Sequence, residues 1–273
     1  MNEIFNFKRF GTYFLYDLKQ MWRKHSKAAI MIGCSIAFLY VLWVLFSLLF
    51  TQHWASPGIE FRVAMLLFAF MVLEFYQTRT YGELTEKKAG SAWLMIPASK
   101  TEKFVSMILM TLVVIPLLFF AVFFCIDGLL SLVDPTYGKA LIGGFLETYQ
   151  KMLEGIMSVN NESPVVLSSV ALFFIGLASF VNSFLYFLLC GVCFKKNKII
   201  LGLAILFGAS TLLSIITGLT VPFMVNHLTP IDINEEQVAR LTAGILNGSE
   251  VVAWLFAIGF GWGIWRRIKT IQH

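Results

Sequence analysis

The sequence predicts an all-α, polytopic membrane protein. It has six transmembrane helices, an N-terminal interfacial amphipathic helix and both termini cytoplasmic, in a single transmembrane domain over residues 1–273. Three observations predict this class. The chain is 58% hydrophobic and 14% charged, where soluble domains carry roughly 25% charged residues, and its mean hydropathy is +0.77. Apolar runs near 28–50, 61–76, 104–126, 165–194, 199–225 and 249–265 approach or exceed the about 20 residues that cross a bilayer as a helix. When these runs are threaded alternately, 17 of the 21 Lys and Arg residues fall on the side of the N-terminus. Cytoplasmic loops carry that excess.

In chain order, the first 27 residues are polar and basic. No cleavable signal peptide is expected, because the first apolar run is long and lacks a small-residue cleavage site. On a helical wheel Phe7, Phe10, Phe14, Leu15, Leu18, Met21 and Trp22 share one arc, and Lys8, Arg9, Lys19, Arg23 and Lys24 the other. An aromatic face opposite a basic one is the pattern of a helix lying in the headgroup layer. A soluble helix packed on a partner is the alternative. His25-Ser26-Lys27 is expected to break this helix from the first span.

The spans at 28–50 and 104–126 are free of charge, as are the two longer runs that follow. The run at 61–76 carries Arg62 and Glu74 near its ends, and the last run stops before Arg266. Both can span if flanking charges snorkel, and Arg62 is expected to snorkel outward. Ionisable groups within membrane segments are functional candidates by default. Here Glu74 lies near the inner end of the second span and Asp127 just past the outer end of the third, each close enough to an interface to be solvated. Pro116 and Pro222 are expected to kink their helices, which neighbours can accommodate. Small residues in the fourth and fifth spans (Gly176, Ala178, Gly202, Gly208) permit close helix approach. Outside, two loops carry helical patterns at 140–157 and 230–247, the second opening on Asp232 and Glu235.

The distinctive stretch is Gln77–Lys103, a charged inward segment between two apolar runs. It contains Glu83, Glu86 and Lys87, then the apolar patch Trp93, Leu94, Met95 and Ile96. Pro97-Ala98-Ser99-Lys100-Thr101-Glu102-Lys103 then opens the next helix. Two readings stay open: an element that transmits motion from a soluble partner into the flanking helices, and an ordinary interhelical loop. No G-x-x-x-x-G-K-[ST] loop is present, so this chain does not cradle nucleotide phosphates by that route.

This order of parts resembles the membrane subunit of a type 2 (ABC-2-like) ABC exporter. The shared parts are a basic surface helix, six spans and an inward segment running into a P-A-S-K-x-E-K turn. The resemblance implies a permease of the bacterial inner (plasma) membrane that works with a separate ATPase subunit, which holds the ATP and magnesium, and with a second permease copy or paralogue. It implies a coupling role for the docking region 82–99, with Glu83, Glu86, Lys87, Trp93, Leu94, Pro97, Ser99, Lys100 and Glu102 as its contacts. It also implies a surface helix carried by Phe7, Phe10, Phe14, Leu18 and Trp22, and a second, smaller contact at 195–198. A non-transporting membrane sensor, anchor or assembly module remains the competing class.

Other chemistries find little support. The net charge of +5 is sorted by membrane side, which does not suggest nucleic acid. Cys190 and Cys193 form a lone pair of thiols, where structural zinc takes four ligands. The four histidines are scattered without H-E-x-x-H spacing, so no catalytic, cofactor or metal residues are assigned in this chain. Two Asn-x-Ser sites (Asn161, Asn247) are read as chance matches.

Overall fold

The computed structural model describes residues 5–85, 90, 93, 95–147, 150, 164–228 and 235–270. The regular elements among them are all helical. They are α1 (Phe7–Gly33), α2 (Ser35–Thr51), α3 (Ile59–Thr80), a 3₁₀ turn (Gly82–Thr85), α4 (Lys100–Leu109), a π-helical stretch (Met110–Val114), α5 (Ile115–Val133) and a second 3₁₀ turn (Pro135–Tyr137). After them come α6 (Pro164–Cys193), α7 (Lys198–Leu228) and α8 (Glu235–Thr270).

Four helices among the described residues are long and apolar enough to cross a bilayer: Lys100–Val133, Phe174–Cys193, Lys198–Ile216 and Gly248–Thr270. Ser26–Gly33 and Ser35–Thr51 make a fifth if the 41° bend between them falls within one span. The expected second span, 61–76, does form a helix, α3, but it is not one of these. Glu60, Arg62, Glu74 and Arg79 spread charge along it, and its buried face sets Arg62, Gln77 and Thr78 beside Leu66, Ala69 and Leu73.

Several expected boundaries move. The helix does not break at His25-Ser26-Lys27, where no glycine or proline interrupts it; α1 runs on to Gly33. The turn comes at Cys34, beside the place where α1 crosses α5. A Cβ on Gly33 would lie 2.7 Å from Val122 Cγ1 and 2.9 Å from its Cβ, so the absent side chain is what permits the approach. The outer helix expected at 230–247 and the final span are one continuous helix, α8, of 36 residues. Of the outer helix expected at 140–157, residues 141–147 are helical and most of the remainder lies outside the described residues, as does Asp232. The third span is longer than 104–126, and Pro116 does not break it. Proline has no N–H for the i−4 carbonyl, and the strain is taken up by widening the preceding turn. The Ile115 N–H reaches back five residues to the Met110 carbonyl, the spacing of a π-helix.

The chain forms two compact units, residues 1–80 with 91–158 and residues 81–90 with 159–273. In the first, α1, α2 and α3 pack with α4 and α5 around Leu66, Leu73, Met107, Met110, Phe119 and Phe123. This apolar core is bracketed by two buried carboxylates, Glu102 and Asp127. Twenty-five residues of helix separate them, roughly 37 Å at 1.5 Å per residue, slightly more than the roughly 30 Å of a bilayer's hydrocarbon core.

At the Asp127 end the expectation that Arg62 snorkels outward and Asp127 is solvated is corrected. They are 3% and 0% exposed, and Arg62 Nη1 donates to Asp127 Oδ1 at 3.1 Å. Tyr137 Oη and the Leu141 N–H donate to the same carboxylate at 2.9 and 2.6 Å. Arg62 Nη2 donates to the Lys139 carbonyl at 3.0 Å, and its guanidinium lies 4.2 Å from the Tyr137 ring centre. A charge placed among apolar helices takes a partner rather than an unpaired position in a medium that solvates it poorly. Asp134 continues this cluster, accepting from Tyr40 Oη at 2.8 Å, Trp54 Nε1 at 3.1 Å and the Thr136 N–H at 2.8 Å.

In the second unit α6 and α8 form the main interface, burying Phe184, Leu188, Val192, Ile264 and Ile268. Asn182 Nδ2 donates across it to the Ala253 carbonyl at 2.8 Å. Helix α7 is held at its start, where Tyr186 Oη donates to the Gly202 carbonyl at 2.7 Å. Over Lys198–Ile216 it is barely covered, with 6% of that apolar stretch buried against 44% in Phe174–Cys193 of α6.

Candidate functional site

Past Thr80 the segment 77–103 enters the second unit. After Tyr81 the chain makes the 3₁₀ turn at Gly82–Thr85, closed by the Leu84 N–H donating to the Tyr81 carbonyl at 3.1 Å and Thr85 Oγ1 to the Gly82 carbonyl at 2.9 Å. Lys198, the first residue of α7, clamps this turn. Its Nζ donates to the Gly82 carbonyl and, at 2.8 Å, to Thr85 Oγ1. Glycine suits position 82 because a Cβ there would sit 2.9 Å from that ammonium. Glu83 is half-buried on the turn. Of the other coupling candidates, Glu86, Lys87 and Leu94 lie outside the described residues.

The segment's other end is built into the first unit. Ser99 caps α4: its hydroxyl accepts the Glu102 N–H at 3.2 Å, and Glu102 Oε2 accepts the Ser99 N–H at 2.9 Å. This reciprocal capping box satisfies donors a helix start would otherwise leave open. Glu102 does more than cap. Its Oε1 accepts the Asn6 N–H at 2.9 Å, and Arg9 donates to it through Nη2 at 2.7 Å and through Nε to both oxygens, at 3.0 and 2.8 Å. Asn6 in turn caps α1, its Oδ1 accepting from Lys8 and Arg9 N–H groups at 3.0 and 3.4 Å. One buried carboxylate therefore ties together the starts of α1 and α4, which suits a negative charge beside two positive helix ends.

The seam continues along both helices. Trp93 Nε1 donates to Tyr13 Oη at 3.1 Å, and Ser106 Oγ donates to Asp17 Oδ2 at 2.7 Å. Lys103 Nζ donates to the Trp93 carbonyl at 2.8 Å and sits 4.7 Å from the Trp93 ring centre. The candidates thus separate by role. Ser99 and Glu102 are buried inside the joint and Trp93 is half-buried on it, while Pro97, Lys100 and the 82%-exposed Met95 face outward. Among the described residues of the segment, the outward group is an apolar tip, a rigid proline and one cation.

Helix α1 also has a face turned to the protein. Its buried face is the stripe Arg9, Tyr13, Asp17, Met21, set by the polar contacts to 93–106, with Tyr13 and Met21 the buried members. Phe7 is 82% exposed and Trp22 53%; Phe10, Phe14 and Leu18 are half-buried. Glu74 is half-buried on α3, and Asp127 belongs to the Arg62 cluster at the far end of Lys100–Val133. Cys190 is buried and Cys193 exposed, and among the described residues no three His, Cys, Asp or Glu side chains converge as metal ligands.

Sequence reasoning did not single out Asn6, Arg9, Tyr13 and Asp17 as partners of the segment. Their contacts span about ninety positions, such as 93 between Arg9 and Glu102, and no local pattern marks them. The Ser99-x-x-Glu102 spacing was the one local signal of the joint. No family model matches the chain, and neither do any curated protein or solved structure.

Proposed function

We propose that the chain is the permease subunit of a type 2 ABC exporter in a bacterial plasma membrane, with six spans and both termini cytoplasmic. In this reading α3 serves as the remaining span, its charges placed near the two ends or paired. A separate ATPase subunit docks on 82–99 and supplies ATP hydrolysis, and two permease chains form the path between them. The observation that carries this reading is the joint at Glu102. Met95, Pro97 and Lys100 are held out on a tip whose base is a capping box continuous with a 34-residue helix. A push on such a tip is delivered along Lys100–Val133 and, through Arg9, into α1, rather than absorbed by a slack loop.

The test is co-expression with candidate ABC ATPase subunits from the same genome, followed by purification through a tag on this chain. The ATPase co-purifies, and Met95→Asp with Lys100→Glu abolishes co-purification without lowering the melting temperature. If no ATPase is retained with or without ATP, a non-transporting sensor or anchor replaces this reading.

A further inference from the structure

The outward side of α1 is organised for a ligand that the coupling reading does not use. Helix α1 holds six cationic residues and a single acid, Asp17. The structure turns Asp17 inward onto Ser106 and occupies Arg9 with Glu102. The exposed remainder is therefore cationic without a counter-charge of its own: Lys8, Lys19, Arg23 and Lys27 are all exposed. At 3.6 residues per turn, Phe7, Leu15 and Trp22 lie on the strip adjoining Lys8, Lys19 and Arg23. All three are more than half exposed. An apolar strip beside a basic row, on a helix pinned along its opposite face, fits the boundary between acyl chains and headgroups.

Within that row, Tyr16, Lys19, Gln20 and Arg23 line a concavity of about 590 Å³. Two cations one helical turn apart, with a phenol and an amide beside them, offer donors to every free oxygen of a phosphodiester. We infer that this concavity binds the headgroup of an anionic phospholipid from the surrounding leaflet. Lys19 and Arg23 hold the phosphate, Tyr16 and Gln20 donate at its edge, and Leu15 and Trp22 meet the glycerol and acyl region. The charge complementarity singles out an anionic lipid over a zwitterionic one, whose choline or ethanolamine would be brought against the same cations. The inference needs only that the chain sits in a bilayer; it is independent of any ATPase.

The test uses the full chain purified in a neutral detergent, with native mass spectrometry reading the lipid retained after adding equal amounts of phosphatidylglycerol and phosphatidylcholine. Phosphatidylglycerol is retained preferentially, and Lys19→Gln with Arg23→Gln lowers its affinity about 30-fold, the worth of two cations beside an anionic headgroup. Lys8→Gln with Lys27→Gln removes the same charge away from the concavity and lowers it less than threefold. Millimolar inorganic phosphate leaves the lipid adduct in place. Equal retention of the two lipids by the unaltered chain overturns the inference, as does equal loss in both double variants, which would mean diffuse charge without a site. Displacement by inorganic phosphate also overturns it, since the ligand would then be the free anion. None of these readouts involves the ATPase, so this inference and the exporter reading fail separately.

Discussion

Removing Arg62 while leaving Asp127 in place is the sharpest perturbation of the fold. Both side chains are buried, at 3% and 0% exposure, and they meet at 3.1 Å. In Arg62→Met the methionine refills most of the side-chain volume, so packing changes little. What remains is a buried carboxylate with two donors, Tyr137 Oη and the Leu141 N–H, and no counter-charge. Breaking a buried pair on one side costs about 3–5 kcal/mol. At about 2–4 °C per kcal/mol for a chain of this size, the melting temperature of the detergent-solubilised protein should fall by roughly 10 °C. Adding Asp127→Asn to Arg62→Met removes the stranded charge, while the amide oxygen still accepts one of the two remaining donors. The double variant should therefore melt about 4 °C higher than Arg62→Met alone, recovering roughly 2 kcal/mol of the loss. The assay is thermal unfolding followed by intrinsic fluorescence. A double variant that melts lower than the single one would refute the reasoning, because the pair would then contribute independently rather than as mutually compensating charges.

Five further outcomes follow from the same geometry. Glu102→Gln keeps an acceptor but gives up the charge that Arg9, Asn6 and Ser99 converge on, and should cost about 2–3 kcal/mol; adding Arg9→Gln should then lower the melting temperature little further. Gly33→Ala should destabilise, by about 1–3 kcal/mol from overlap with Val122. Gly128→Ala, with open space around its Cβ, should stabilise by about 0.5–1 kcal/mol. Lys198→Met frees the turn at Gly82–Thr85, and amide hydrogen exchange there should accelerate about tenfold or more, the worth of a hydrogen bond to a charged group. Asp134 lies beyond the end of α5. Burial raises its pKa, but the hydrogen bonds from Thr136, Tyr40 and Trp54 outweigh that and hold it down to about 2, below its ordinary value of 3.8. Its contribution is thus complete above pH about 4 and lost as pH falls through about 2. The melting-temperature deficit of Asp134→Asn should be constant from pH 5 to 8 and shrink towards pH 2.

The membrane character of the chain was legible because hydropathy is a local property of runs such as Lys198–Ile216. The Ser99-x-x-Glu102 box is equally local, both partners sitting within one turn, but sequence reasoning reads 97–103 only as the turn that opens the next helix. What local reading could not supply was pairing across the fold. Arg62 alone reads as a charge that must escape to water; only the tertiary fold brings Asp127, 65 positions on, to it. Likewise the apolar arc of α1 gives its amphipathicity but not which side is already occupied. That side is decided by Tyr13 and Asp17 meeting Trp93 and Ser106, 80 and 89 positions away. The bend at Cys34 was misplaced because its cause is the close passage of Gly33 over Val122, and not the polar residues His25, Ser26 and Lys27.

The central claim is that the tip held by Glu102 is gripped by an ATPase inside the cell. A photo-crosslinking residue placed at Met95, in cells co-expressing a candidate ABC ATPase subunit, tests it directly, with the 84%-exposed Leu132 at the far end of the same helix as the reference position. The account requires an ATPase adduct from position 95 and none from position 132. Adducts from neither position, or from 132 alone, would contradict it.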